Sequence, residues 1–212
     1  MYIGNTIIKE YCQKYNLISP FKENQLQPAS YDLTLNPRIL IVQPNNRLFL
    51  PESLKASDND NENNKKETKE VIDPKKPSKT KEIFIDDYFL LPEKGFVLGS
   101  TNETIDLLTI NQQGLRDSVK LSGVVCGKSS LARLGIEIEF AGFIDPGFVG
   151  TVTLEIKNKN NYPVILYKDM LIAQIRFMYV EGVSRLYKGK YLYQKTTTES
   201  RYYLNYKSNN KQ

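Results

Sequence analysis

Three short stretches carry side chains capable of chemistry. The run CGKSSLARLG, from Cys126 to Gly135, places Lys128, Ser129, Ser130 and Arg133 within six residues. Two cations and two hydroxyls at that spacing either suit an oligophosphate, with the arginine offering a rigid donor fork and the hydroxyls adding donors, or place an Arg and a Lys on a solvated turn. It is not a phosphate loop of the Walker type, because that motif needs a glycine at position 122, which is Ser122. The second stretch, GTVTLEIKN, alternates: Val152, Leu154 and Ile156 share one face of a strand, and Thr151, Thr153 and Glu155 share the other. Glu155 is then either an exposed carboxylate on a wet face or a partly buried one whose proton affinity is raised enough for general acid–base work. The third, FIDPGF, sets Asp145 in a turn between Phe143 and Phe148. There the aspartate either caps the turn or receives a sugar hydroxyl beside an aromatic ring.

What is missing narrows the chemistry further. The 212 residues include no histidine and two cysteines, Cys12 and Cys126. Imidazole-based triads, histidine acid–base catalysis and a zinc-activated water held by histidine and cysteines are excluded, as is a disulfide framework. An enzyme built from this chain works with carboxylates, Lys, Arg, Tyr and Ser, and with a hard cation if it uses one. No segment reaches the 18 apolar residues of a membrane span, and the amino terminus lacks a basic region followed by an apolar run. The chain therefore reads as cytoplasmic, without a membrane partner.

Lys and Arg number 29 against 24 Asp and Glu, a formal charge of +5. The excess lies at the end: from Ser184 onward seven basic residues face Glu199 alone, among six of the 14 tyrosines. Such a tail is a solvated terminus, a cover for one phosphorylated ligand, or a nucleic-acid surface.

Several elements must position these residues. A helix is expected over Asn5 to Tyr15, with Ile7, Ile8 and Tyr11 near one stripe. Strand patterns recur at YDLTLNPRILIV, KEIFI, GFVLGST, KLSGVVC, GIEIEFAG, GTVTLEIKN, YPVILY and MLIAQIRFMYV, separated by Gly, Pro, Asn and Asp. That spacing gives an all-β barrel or sandwich with short peripheral helices. ETIDLLTINQQGLRDSV is compatible with a helical turn or a long loop. Ser57 to Glu70 contains no apolar side chain and reads as a floppy surface insertion extending towards Thr80. The expectation is one domain over 1–212, with an insertion at about 55–80 and a basic, tyrosine-rich lid at about 184–212.

Together, LQPASYDLTL, GKSSLARLG and AGFIDPGFVGTVTLEIKN resemble the dCTP deaminase family of the dUTPase-like superfamily, and the likeness runs from the amino-terminal helix to KYLYQ. The resemblance implies a distorted, jelly-roll-like β barrel, a homotrimer with active sites at subunit interfaces, and a deoxynucleoside triphosphate substrate with Mg2+. By position it makes Glu155 the catalytic proton carrier and gives Ser129 and Arg133 assisting roles. Lys128 and Ser130 would hold triphosphate, and Ala141 would position water through its carbonyl. Asp145 would hold the deoxyribose 3'-hydroxyl, and Lys190, Tyr191 and Gln194 would close over the nucleotide. No protein metal ligand is implied, the ion being carried by the triphosphate, and nucleic acid is not an implied partner.

The implied activity is deamination of dCTP to dUTP, or to dUMP plus diphosphate in members that perform both steps. A dUTP diphosphatase is the nearest rival; there Asp145 would activate water and Phe148 would pack on the sugar. A degenerate nucleotide- or nucleic-acid-binding protein is the third reading. Glu155 favours the deaminase, since attack at C4 of cytosine needs a proton shuttle. The chain departs from the family between Arg133 and Ala141, where it is one residue short and offers Glu137, Glu139 and Phe140 in place of a common His and Thr.

Overall fold

The structure is a computed structural model and describes residues 1–49, 68–116, 118–139 and 142–207. Asn5–Tyr15 forms helix α1, closed at its end by Asn16 in the left-handed region. Ile8 and Cys12 are buried on its inner stripe, and Ile7 and Tyr11 pack beside them. The strands then run β1 (Ile18–Ser19), β2 (Leu26–Gln27), β3 (Ser30–Thr34), buried at every position, β4 (Arg38–Gln43), β5 (Asn46–Phe49), β6 (Thr68–Val71), β7 (Lys79–Phe84), β8 (Tyr88–Leu91) and β9 (Phe96–Asp106). After helix α2 (Leu107–Gln113) come β10 (Val119–Gly127), the short helix α3 (Ser129–Ala132), β11 (Ile136–Ile138), β12 (Phe143–Ile144), β13 (Val149–Asn158), β14 (Val164–Tyr167), β15 (Leu171–Glu181) and helix α4 (Leu204–Lys207). Residues 103–119, compatible in sequence with a turn or a loop, hold a capped helix: the Asp106 carboxylate accepts from the amides of Leu108 and Thr109, which starts α2.

A jelly-roll-like barrel was expected, and the sheets do not close into one. Six strands form an open sheet in the order β11-β13-β9-β4-β7 with β1 beside β9, and five form a second in the order β12-β10-β15-β3-β2. Alternation specifies which side of a strand is buried but not which strand lies at its edge. The transfer between sheets occurs where the ladder is interrupted. Between β3 and β4, Pro37 has no N–H to donate, and an isolated bridge from Leu35 to Thr101 with the Asn36 amide on the Ser100 carbonyl joins the two sheets' strands there.

The chain divides into two compact units, Met1–Ile41 with Glu82–Thr198 and Val42–Lys81 with Glu199–Gln212. The first holds the core, in which Tyr31, Leu33, Ile175 and Phe177 from one sheet and Leu154, Ile156 and Ile105 from the other are essentially inaccessible. Each such side chain contributes about 1.5–3 kcal/mol of burial. In the second unit β5 and β6 pair from Asn46↔Val71 to Phe49↔Thr68, so residues 68–71 of the charged insertion are strand; residues 55–67 lie outside the described region. Ser78 Oγ donates to the Ser200 carbonyl in the same unit, and Lys75 stands 5.1 Å over the Tyr206 ring. Among the described residues no helix is long and apolar enough to cross a membrane.

An irregularity in β9 redirects an acidic side chain. Opposite Val152, β9 carries extra residues: Thr151 pairs with Thr104, but Thr153 pairs with Ser100. Thr101 fills the gap, accepting from the Val152 amide and donating to the Glu103 carbonyl. The bulge turns Glu103 inward, where it is 1% exposed and accepts from Thr34 N, Thr34 Oγ1 and Gln25 Nε2.

Candidate active site

Glu155 sits in the middle of β13 on the outer face of the six-stranded sheet, paired with Leu98 of β9. It is half-buried, the second of the two alternatives open to a carboxylate at that position. Burial pushes its carboxyl above the usual glutamate range and the neighbouring Glu139 adds to the rise, while its own backbone N–H pulls the other way. A carboxylate so placed suits a group that must both take and return a proton.

A carboxy-terminal arm covers the start of the same strand. Tyr187 donates its amide to the Pro146 carbonyl, Tyr193 to Val149, and Thr151 to the carbonyl of Gln194. Gln194 Nε2 reaches the Thr151 carbonyl at 2.6 Å and Thr153 Oγ1 at 3.5 Å, and the Thr198 amide donates to Thr153 Oγ1. Thr197, 1% exposed, binds Ser100 Oγ and the Arg38 carbonyl and receives the Arg38 guanidinium. Gln194 Oε1 and Thr151 Oγ1 are buried with no hydrogen-bond partner among the described residues, which leaves two polar atoms available beside the Glu155 face. Tyr191 packs against the core, and the Lys190 ammonium lies 5.9 Å from its ring centre.

At the mouth of β13 the Asp145–Phe148 turn is closed by the Asp145 carbonyl, which accepts from Phe148 N. The Asp145 carboxylate is exposed and makes no hydrogen bond or ion pair among the described residues, so the cap is main-chain and the side chain is free for a ligand. Gly147 sits at φ +94, which favours glycine, and a Cβ there would also meet the Leu186 Cβ at 2.7 Å. Phe148 is 8% exposed and belongs to the core, with its ring 6.0 Å from that of Tyr187.

The cationic cluster is anchored differently from a solvated turn. Lys128 Nζ forms an ion pair with Asp32 Oδ1 at 2.5 Å, the two side chains being 20% and 4% exposed. Gln27 Nε2 binds the other oxygen of Asp32, and Gln174 Nε2 approaches the Gly127 carbonyl. Ser129, Ser130 and Arg133 are exposed on and just after α3. Arg133 makes no ion pair with Glu155. The Lys159 amide bonds to Gly135, so the segment after α3 meets the far end of β13, about 13 Å along the strand from Glu155 at a rise of about 3.3 Å per residue.

Gln194 is thus brought to the face of β13 that carries Glu155, while the Asp145 turn lies before the start of that strand and the Ser129/Arg133 cluster beyond its end, neither of them in contact with Glu155 among the described residues. Ala141 lies outside the described residues. In the sequence Thr153 falls on the Glu155 face and Glu139 in the segment that departs from the family, but no site role attaches to Asp32 or Glu103, whose partners lie on other elements of the fold.

A family model described as dCTP deaminase-like matches residues 3–180. A "dCTP deaminase, dUMP-forming" from Sulfurihydrogenibium sp. (strain YO3AOP1) is 35% identical over 207 residues, covering 96% of this chain and 98% of the relative. One of the same description from Nanoarchaeum equitans (strain Kin4-M) is 36% identical over 213 residues, covering 94% and 96%. The crystal structure of 2'-deoxycytidine 5'-triphosphate deaminase from Agrobacterium tumefaciens superposes with a TM-score of 0.53 at 18% identity, over 83% of this chain and 47% of that one, a likeness of fold. On the extent of the family match and of its full-length relatives, the chain belongs to the dCTP deaminase-like family.

Proposed function

We propose that this protein deaminates dCTP at cytosine C4 and carries the product to dUMP, as the names of its relatives describe for them. The observation that carries the reading on the structural side is Glu155, a half-buried carboxylate of raised proton affinity on a strand that also carries the Gln194 arm. Water attacks C4 while Glu155 takes its proton. Glu155 gives that proton to N3, then takes the remaining proton from the new C4 hydroxyl and passes it to the exocyclic amine, which leaves as ammonia as the C4 carbonyl forms; one carboxylate can serve both transfers in sequence. Ser129 and Arg133 meet charge developing on the new oxygen, and Lys128, Ser130 and Lys190 hold phosphate oxygens. In the second step a water attacks the α-phosphorus and diphosphate leaves, with the exposed Asp145 placed to hold the sugar 3'-hydroxyl or to orient that water. Gln194 and Tyr191 cover the bound nucleotide.

Mg2+ is part of this proposal. Among the described residues no group of three or more Asp, Glu or Cys side chains is set to hold an ion, and the donors of the cluster are hydroxyls and cations that suit phosphate oxygens. The ion would be held through the triphosphate, where it would supply charge neutralisation. We read the chain as one dUTPase-like catalytic unit with an inserted segment and a covering arm, acting in the cytoplasm.

The separation of Arg133 from Glu155 supports a homotrimer in which neighbouring chains complete each site. If so, Glu155→Gln and Arg133→Ala subunits, each inactive alone, regain up to about a quarter of wild-type activity when refolded together, a random assortment allowing only some sites two intact halves. Activity that fails to return in stable mixed oligomers would place the site within one chain.

The activity itself is tested by incubating protein and Mg2+ with dCTP and, separately, dUTP, while resolving ammonia, dUTP, dUMP and diphosphate. Ammonia with dUMP is the expected result. Ammonia with dUTP accumulating would confine the enzyme to deamination; turnover of dUTP alone would move catalysis to Asp145 and make it a diphosphatase. Inertness towards both would favour a degenerate binding protein.

A further inference from the structure

The ladder between β11 and β13 pairs Ile136 with Asn158, Glu137 with Lys157 and Ile138 with Ile156. One step further the Glu139 amide donates to the Glu155 carbonyl at 2.9 Å, so these two glutamates are directly opposed and share a face of the sheet. Opposed residues in an antiparallel pair stand about 5 Å apart at Cβ, and like charges so placed are destabilising. Neither carboxylate is ion-paired among the described residues.

The charges around the pair leave Glu155 without a counter-ion among the described residues, and Glu139 feels only the Lys159 ammonium, which is bonded to Glu137. On its own strand Lys157 gives its ammonium to the Lys94 carbonyl. On β11 Glu137 is held by Lys159. On the other side β9 offers Leu98, and beyond it the Arg38 guanidinium of β4 is taken by Glu82 and the Thr197 carbonyl. The arm brings Gln194, Thr197 and Thr198, none of them charged. Arg133 of α3 lies towards the far end of the strand.

We propose that Glu139 is a positioning residue for the reaction: its carboxylate, fixed across the ladder from Glu155, makes Glu155 the stronger proton acceptor towards the attacking water. This rests on the deaminase reading and assigns a role to the segment in which the chain departs from its family. A repulsive pair is retained beside the proton carrier because the cost in stability returns as basicity at the reacting group. Burial raises the proton affinity of Glu155 first, and the Glu139 charge adds to it. The proton taken from water therefore leaves oxygen for a carboxylate better able to hold it, then moves to N3 without any further acid.

The test is the pH profile of kcat for dCTP in wild type, Glu139→Gln and Glu139→Asp, beside carboxyl-13C glutamate NMR of the free proteins with Glu155 assigned through Glu155→Gln. An opposed charge pair is worth up to about 1 kcal/mol, roughly five-fold in an equilibrium. Glu139→Gln should move the acid limb to lower pH, so that its rate at a pH on that limb, as a fraction of its own plateau, rises about 2–5-fold. The plateau kcat should fall with KM little changed, and Glu139→Asp should restore the wild-type limb. The Glu155 carboxyl signal should titrate at lower pH in Glu139→Gln. A profile that superposes on wild type after scaling, with an unmoved Glu155 signal, overturns the proposal, because a merely structural Glu139 would change the height alone. Absence of ammonia from wild type at every pH would sink the deaminase reading, and the NMR titration would still decide the pair. If Glu139→Gln does not fold, Glu139→Ala removes the same charge and is read in the same way.

Discussion

Glu155→Gln is expected to lower ammonia release from dCTP by about 10²–10⁴-fold, the range for removing a positioned acid–base group, with nucleotide affinity retained. The amide keeps the volume and the polar surface of the carboxylate but cannot accept the proton of water. Release of ammonia at near the wild-type rate would end the assignment. The same substitution has a signature in stability. Burial opposes ionisation of Glu155 in the folded state, so its folded proton affinity exceeds the unfolded one. The contribution of this group is therefore fully present below the ordinary glutamate range and is lost as the pH rises through the folded value. The variant, which has nothing to ionise, should melt no lower than wild type at pH 8, and any advantage should shrink by pH 4. A catalytic group that destabilises its own fold at working pH is consistent with a site kept for chemistry.

The second large effect belongs to Asp32. Asp32→Asn leaves the mostly buried Lys128 ammonium without its counter-charge. Removing one partner of a buried pair costs about 3–5 kcal/mol, and the lower end applies because Lys128 retains some exposure. For a chain of this size about 3 kcal/mol corresponds to a fall in Tm of about 6–12 °C. Because Lys128 immediately precedes α3, the KM for dCTP should rise as well. Adding Lys128→Met should recover part of the melting temperature but not the KM. A melting curve for Asp32→Asn that overlays the wild type would show that the pair does not hold this corner together.

The local elements were legible and their long-range meetings were not. The helix over Asn5 to Tyr15 and the alternation of GTVTLEIKN are written in neighbouring residues, and both stand where the spacing places them. Barrel closure is a relation between strands far apart in the chain, and two open sheets satisfy the same alternation. Lys128 read as a cation on a turn because its partner, Asp32, lies on another strand of the fold. Glu103 opened a segment compatible with a helical turn or a long loop; it lies instead on β9, where the bulge turns it inward to Thr34 and Gln25. The arm was read as basic and aromatic, yet much of what fastens it is main-chain hydrogen bonding at Tyr187, Tyr193 and Gln194, which has no side-chain signature.

Those fastenings change what kind of moving part the arm can be. Its beginning is fixed where Leu186 and Tyr187 meet the Gly147 turn, and its end where Thr197 is buried on Ser100 and Arg38. A segment secured at both ends is a strap rather than a flap. Its span between anchors is short, and the entropy of re-forming a loop grows only as about (3/2)RT ln n with its length. If the strap covers the nucleotide as proposed, product would leave as it bows away from Thr151 and Thr153, and the strap would return from a limited set of positions without searching as a free tail would. An extension fused beyond Gln212 should leave this movement intact, whereas a cut between Lys188 and Lys195 would turn the strap into two loose ends.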